Sequence, residues 1–344
     1  MKPIDTDVHV APRDISEIRE RLSAYWRQYV DEGSVRLRPE HRADRPAPDD
    51  GQPPPPVPAT LDELSTHWTG GAVAAALLSC TVLFDLSRNP DFESACARAV
   101  NDWQRDRFLD RDERLLGGAV LPLLDVDAAV AELTRVAEDD RFVQVILPVR
   151  IENRWGDRRY RRLFDVAAEA GLVVCLHAGG RTGLSAAGTG YTAGFVEQLL
   201  GDQHLAAQNQ LVSLLAGGAF ARSSTLRVTM AECGFSWLHP LLWRLDKDWK
   251  SLWREVPWLD RPPSDVVADR IRFTLEPGHL PPGDEDIREV AELSAVANNV
   301  MYSSDFPHAA SCRSHRMLDL LGVEDRRRVL RENALEHYPR LARR

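Results

Sequence analysis

The sequence predicts an α/β protein of the (β/α)8 (TIM) barrel class, folded as one domain over residues 1–344 with a long proline-rich insertion after the first strand. Three observations carry that expectation. Eight apolar runs of strand length alternate with segments whose apolar residues recur at helical spacing. Several of the runs are apolar throughout, as expected for parallel strands covered on both faces by helices. A chain of 344 residues with 44% hydrophobic content also suits one barrel of this kind.

The first strand, Ile4–Val10, is unusual because alternate side chains leave a strand on opposite sides. Asp5, Asp7 and His9 therefore share one face, and Ile4, Thr6, Val8 and Val10 the other. Acid and imidazole on an inward face are costly unless they are paired or hold a metal. Asp14–Val30 reads as helix with Tyr25, Trp26 and Tyr29 as an aromatic face. Arg38–Pro58 contains eight prolines, Pro53 to Pro56 in succession, and is expected to be a loop of polyproline character. Too little chain precedes it to form a domain, so a lid over the site is expected rather than a linker.

The alternation then runs on to the end of the chain. Strands are expected at Ala75–Phe84, Leu115–Leu121, Val143–Val149, Leu172–His177, Leu226–Glu232, Ile271–Leu275 and Val300–Asp305. The helices between them are expected at Asp91–Asp110, Val126–Glu138, Tyr160–Ala170, Phe195–Ala219, Ser236–Leu252 and Glu285–Ala297, with further helices ending near Arg343.

With 43 basic against 52 acidic residues the net charge is -9, and the basic residues are dispersed, which argues against a nucleic-acid partner. Lys2 leads directly into the first strand without a signal peptide, and no apolar run reaches membrane-spanning length. A cytoplasmic protein with no membrane association is expected. Cys80, Cys96, Cys175, Cys233 and Cys312 contain no C-x-x-C pair and read as reduced, buried thiols.

In a (β/α)8 barrel the chemistry lies at the C-terminal ends of the strands. Three of the predicted strands end in ligand-type residues: Asp7 and His9 on the first, His177 on the fifth and Asp305 on the eighth. A single histidine at a strand end is more often structural, and a single aspartate is often a helix cap. Two imidazoles and two carboxylates converging on one mouth suit one divalent ion, Zn2+ first and Mn2+ second, with a position left for water.

The motifs Asp5-Thr-Asp-Val-His9, Leu176-His-Ala-Gly179, Ala231-Glu-Cys-Gly-Phe-Ser-Trp237 with Arg244-Leu-Asp246, Pro262-Pro-Ser264, Ser303-Ser-Asp-Phe-Pro-His308 and Glu332-Asn-Ala334 span nearly the whole chain. Together they resemble the amidohydrolase superfamily, in its amidohydrolase-2 branch, which includes aminocarboxymuconate-semialdehyde decarboxylase and related aromatic acid decarboxylases. The resemblance implies that Asp7, His9, His177 and Asp305 hold one metal. Two departures stand out. Many relatives open with His-x-His or Glu-x-His where this chain has Asp7, a harder ligand. At the end of strand six, where the decarboxylases carry a histidine that donates a proton or activates water, this chain places Glu232, which could act as acid or base or orient a ligand from outside the metal's own shell. Binuclear relatives bridge their metals with a carboxylated lysine. The lysines here are Lys2, Lys247 and Lys250, none on the fourth strand, so one metal is expected.

Arg13, just beyond the first strand, could grip a substrate carboxylate, although most of the 40 arginines must be solvated surface residues. His308 is close enough to Asp305 to touch a ligand or the substrate, and His239 is expected to be structural. Trp237 could wall an aromatic pocket, whereas Trp243, Trp249, Trp253 and Trp258 suit helix packing or the interface of a homodimer. The leading function is a metal-dependent carboxy-lyase acting on an aromatic or enoic acid, a small-molecule substrate. The alternative is a hydrolase of an amide, lactone or related bond using metal-activated water. A barrel that has lost its chemistry and serves as a scaffold is a third reading, which the intact ligand set opposes.

Overall fold

A computed structural model describes residues 1–33, 35, 56–67, 73–82, 89–180, 203–308 and 312–344. Eight parallel strands form one sheet in sequential order: β1 (Ile4–His9), β2 (Ala75–Ser79), β3 (Leu115–Val120), β4 (Phe142–Arg150), β5 (Val173–Gly180), β6 (Val228–Ala231), β7 (Ile271–Thr274) and β8 (Val300–Met301). Helices lie between successive strands from β2 onward, giving a (β/α)8 barrel. The sheet closes through the segment after β8. Thr6 N donates to Tyr302 O at 3.0 Å, Asp305 N to Asp7 O at 3.1 Å and His9 N to Phe306 O at 2.7 Å.

These closing bonds explain why the expected strand Val300–Asp305 is regular only over two residues. Asp305 turns into the left-handed region at φ 53. It therefore leaves the extended path while its amide still bonds β1. The expected helix Asp14–Val30 is divided into Ser16–Arg19 and Ala24–Gly33. The expected helix Phe195–Ala219 is described from Gln203, and its first eight residues lie outside the described residues, as do 38–55 of the proline-rich insertion and 83–84 of the second expected strand.

Outside the barrel, the helix Pro90–Gln104 fixes β3 with buried amide side chains. Asn101 accepts from Val120 N and donates to Val120 O, each at 2.8 Å. Gln104 does the same for Gly118 at 3.1 and 3.0 Å. Polar atoms in that layer are thus satisfied, as burial requires. At the N-terminal end of the barrel the C-terminal tail supplies a plug. Tyr338 is fully buried, its hydroxyl lying 2.9 Å from Thr229 Oγ1 and 2.8 Å from Gln144 Oε1, and it clusters with Ile4, Leu77, Val143, Val173 and Met301. The opposite end is left for the polar residues of the strand ends. Among the described residues no helix is long and apolar enough to cross a membrane.

Candidate metal centre

β1 brings Asp7 and His9 to the C-terminal mouth, but the register shifts between Asp5 and Val8, and the irregularity breaks the expected alternation: Asp5 pairs with Ala76 of the outer core and stands on the other face, with all three side chains buried. Asp5 accepts from Ser304 N at 2.9 Å, which ties the chain after β8 to the base of the site. Burial pushes the Asp5 carboxyl up to about 7, more than the bonds from Ser304 pull it down. Asp7 Oδ1 accepts from Ser79 Oγ, at the end of β2, at 2.6 Å. Asp7 Oδ2 is buried and meets no hydrogen-bond partner among the described residues. A carboxylate oxygen so placed is what a metal ligand leaves when no cation is present.

His9 Nε2 lies 2.8 Å from Glu232 Oε1, 3.2 Å from Asp305 Oδ1 and 3.7 Å from Asp7 Oδ1. His177, on β5, places Nε2 3.6 Å from both Asp7 Oδ1 and Glu232 Oε1. Its Nδ1 is 2.7 Å from Ala178 O. A carbonyl can only accept, so the neutral ring carries its proton on Nδ1 and turns the lone pair of Nε2 into the mouth. Burial alone would pull the His177 imidazole down, but the Glu232 and Asp7 carboxylates together outweigh it and raise it to about 9.

Glu232 follows β6 and, like Asp305, adopts φ 53. Few non-glycine residues occupy this conformation, and those that do concentrate where function holds them. The Glu232 N–H is satisfied by Thr274 Oγ1 at 3.0 Å, which locks the turn. His308 Nδ1 is 2.7 Å from Asp305 Oδ1 and 3.7 Å from Glu232 Oε1. The His308 ring packs edge-on against His9 at 4.4 Å. Burial, then the charge of Glu232, raises the Asp305 carboxyl.

Two groups of donors emerge, each with its ligand atoms within 4.8 Å of one another: Asp7, His9, His177 and Glu232, and His9, Glu232, Asp305 and His308. The expected quartet is thus divided between the two groups, with Asp7, His9 and His177 in one and His9 and Asp305 in the other, and His9 and Glu232 belong to both. Imidazole nitrogens with carboxylate oxygens form a donor set that fits a borderline or hard divalent ion.

Arg13 lies apart from these contacts, its half-exposed guanidinium ion-paired with Glu63. The Trp237 indole donates to Cys233 O at 2.9 Å, and its ring meets Phe273 at 5.8 Å. Several residues near the mouth were not singled out by the sequence. Ser79 and Ser304 hold the two aspartates of β1, and serine at a strand end carries no signal by itself. His204 and His279 meet at 4.7 Å with their rings tilted by 59°, beside Gly234, whose φ of 62 and close approach to His279 exclude a side chain there. Arg150 ends β4, one residue beyond its expected limit.

A family model described as amidohydrolase matches residues 4–340. Among curated proteins no sequence match was found. Several solved structures are similar. An amidohydrolase from Mycobacterium avium subsp. paratuberculosis K-10 superposes with a TM-score of 0.73 at 20% identity, covering 98% of each chain. The 5-carboxyvanillate decarboxylase of Sphingomonas paucimobilis gives 0.71 at 18% identity, covering 98% of this chain and 99% of that one. A dihydroxybenzoic acid decarboxylase from Polaromonas sp. JS666, with bound manganese and the inhibitor 2-nitroresorcinol, gives 0.64 at 16% identity, covering 99% of both. At these identities the likeness speaks to the fold.

Proposed function

The chain belongs to the amidohydrolase family matched over residues 4–340, and from that premise we propose that it is a metal-dependent carboxy-lyase that releases CO2 from an aromatic or enoic carboxylic acid. The observation that carries this reading is the buried convergence of Asp7, His9, His177, Glu232 and Asp305 on one barrel mouth. The similar barrels that are decarboxylases of hydroxylated benzoic acids supply the reaction class.

Asp7, His9, His177 and Asp305 would hold one divalent ion, which when bound supplies positive charge to orient and polarise a substrate oxygen. The two imidazoles make Zn2+ the first expectation. Mn2+, bound in the Polaromonas enzyme, suits the oxygen-rich remainder of the set. Loss of CO2 leaves an electron pair on the substrate carbon, and that carbon must take up a proton. Glu232 lies against His9 and within reach of His177 and His308, so it is assigned the proton transfer. His308, hydrogen-bonded to Asp305, is assigned to contact the substrate or relay that proton. Arg13 would have to leave Glu63 to grip a substrate, and Trp237 would serve as the outer wall of an aromatic pocket.

Hydrolysis is the competing reading, because Glu232 is equally placed to deprotonate a water. Metal-loaded protein supplied with a panel of aromatic and enoic acids decides between them. CO2 release without oxygen-18 uptake from solvent is expected. Uptake of solvent oxygen into the product, with no CO2, would establish hydrolysis instead. We further infer a homodimer, supported by the exposed Trp243, Leu252 and Trp253 on and after the helix Leu238–Leu252. A cytoplasmic location is proposed on the composition alone.

A further inference from the structure

On the proposed reading the site must receive an acid, yet the side chains gathered there are acidic. Asp7, Glu232 and Asp305 bring three carboxylates, one more than a divalent ion neutralises. An anionic substrate would approach a mouth of residual negative charge, which repels it unless a fixed cation stands nearby.

β4 places one there. Along Phe142–Arg150 the side chains of Val145, Leu147 and Val149 join the core beneath the surrounding helices. Ile146 faces the barrel interior with Cys175 and Ala231, and Pro148 stands opposite His177 in the register. The register shifts between Pro148 and Arg150, where three residues of β5 stand against two of β4; the extra residue is on β5, so the alternation of β4 continues and turns Arg150 inward at the last position of the strand. Two residues advance a strand by about 7 Å, so Arg150 stands that far beyond the level of His177, a span that a small ring bearing a carboxylate can bridge.

Its neighbourhood is shaped for a large side chain. Arg150 pairs with Gly180 of β5, which adopts φ 144, and a Cβ at that glycine would lie 2.5 Å from Arg150 Cβ. Only glycine admits both that backbone and that approach. Arg150 is 7% exposed, against 57% for the Arg13 side chain. The two other arginines buried to this degree among the described residues lie toward the opposite end of the barrel. Arg272 donates to Ala268 O and Ile271 O, and Arg340 to Ala137 O, Asp139 O, Phe142 O and Ala170 O, on the side of the C-terminal plug.

We propose that Arg150 recognises the substrate's carboxylate at the mouth of the barrel and so restricts the site to anionic substrates. The inference rests on the carboxy-lyase reading for its substrate class, but its test does not depend on turnover. A guanidinium fork can hold a carboxylate through two parallel hydrogen bonds, which an ammonium cannot reproduce.

The test measures binding of benzoate and of its neutral isostere benzamide to the metal-loaded full chain by calorimetry. The wild-type protein should prefer benzoate by about 10- to 100-fold, the range of one charge-assisted pair. Arg150→Met should lose most of that preference at unchanged metal content, with benzamide binding retained. Arg150→Lys, which keeps the charge if the Met variant does not fold, should weaken benzoate several-fold and leave benzamide alone. Equal binding of the two probes by the wild type overturns the proposal, as does a preference that survives both substitutions. A protein that prefers benzoate through Arg150 yet releases no CO2 from any acid would lose the lyase reading and keep this one.

Discussion

Replacing Glu232 by Gln preserves the size of the side chain and most of its hydrogen bonding while removing its charge and its capacity to carry a proton. Its Oε1 lies 3.6 Å from His177 Nε2, and both side chains are almost fully buried. Unit charges about 4 Å apart interact by roughly 4 kcal/mol at an effective dielectric constant of 20. One pKa unit corresponds to about 1.4 kcal/mol. Glu232 and Asp7 together raise His177 to about 9, so neutralising Glu232 should return the imidazole of the metal-free protein a long way toward its ordinary value. The sign follows from the charge: less negative potential favours the neutral ring, so His177 should lose its proton at lower pH in the variant. An NMR titration of the metal-free protein reads this directly. Turnover should fall by about two to four orders of magnitude, the usual contribution of a general acid or base, with metal content retained. Metal lost along with turnover would place Glu232 among the ligands. Unchanged turnover would refute the assignment and pass the proton transfer to His308.

The remaining predictions concern the ligands, the plug and the assembly. His177→Ala should remove most bound metal and activity, as read by elemental analysis of purified protein, and full occupancy with full turnover would overturn its place in the ligand set. Tyr338→Ala should destabilise the barrel by about 3–5 kcal/mol, the usual cost of emptying a buried aromatic site. Thermal unfolding should report the loss, and an unchanged melting temperature would mean that the plug contributes little. A Trp243→Ser, Trp253→Ser double variant should elute as a monomer where the wild type elutes as a dimer, and identical elution of the two would rule out this surface as the interface.

The sequence revealed most where the information is local. The parity of β1 needs only neighbouring residues, and it placed Asp7 and His9 on one face, but a shift in register between Asp5 and Val8, set by pairing with β2, moves Asp5 to the other face and could not be read from the spacing. The eightfold alternation is equally local, and it gave the barrel. Strand ends were less legible. β4 runs to Arg150 because Gly180 lets the chains approach, which cannot be read from either segment alone. Tyr338 was invisible as a plug, because its partners Gln144 and Thr229 lie 194 and 109 residues away.

Asp305 and Glu232 show why a strand-end motif carries only part of a site. Each was expected as the last residue of its strand, where extended backbone would aim the side chain by simple alternation. Each instead has φ 53, which swings the carboxylate off that path. Such a backbone costs on the order of 1–3 kcal/mol per residue and persists only where its surroundings hold it. For Glu232 that hold is the bond from its N–H to Thr274 Oγ1, and for Asp305 it is the bond from its N–H to Asp7 O. The two turns bring Glu232 and Asp305 to the same imidazole, His9, from strands six and eight. A donor set with Glu232 at its centre is therefore a product of two strained turns and their clamps. Thr274 should thus govern the aim of Glu232 as firmly as the choice of carboxylate does.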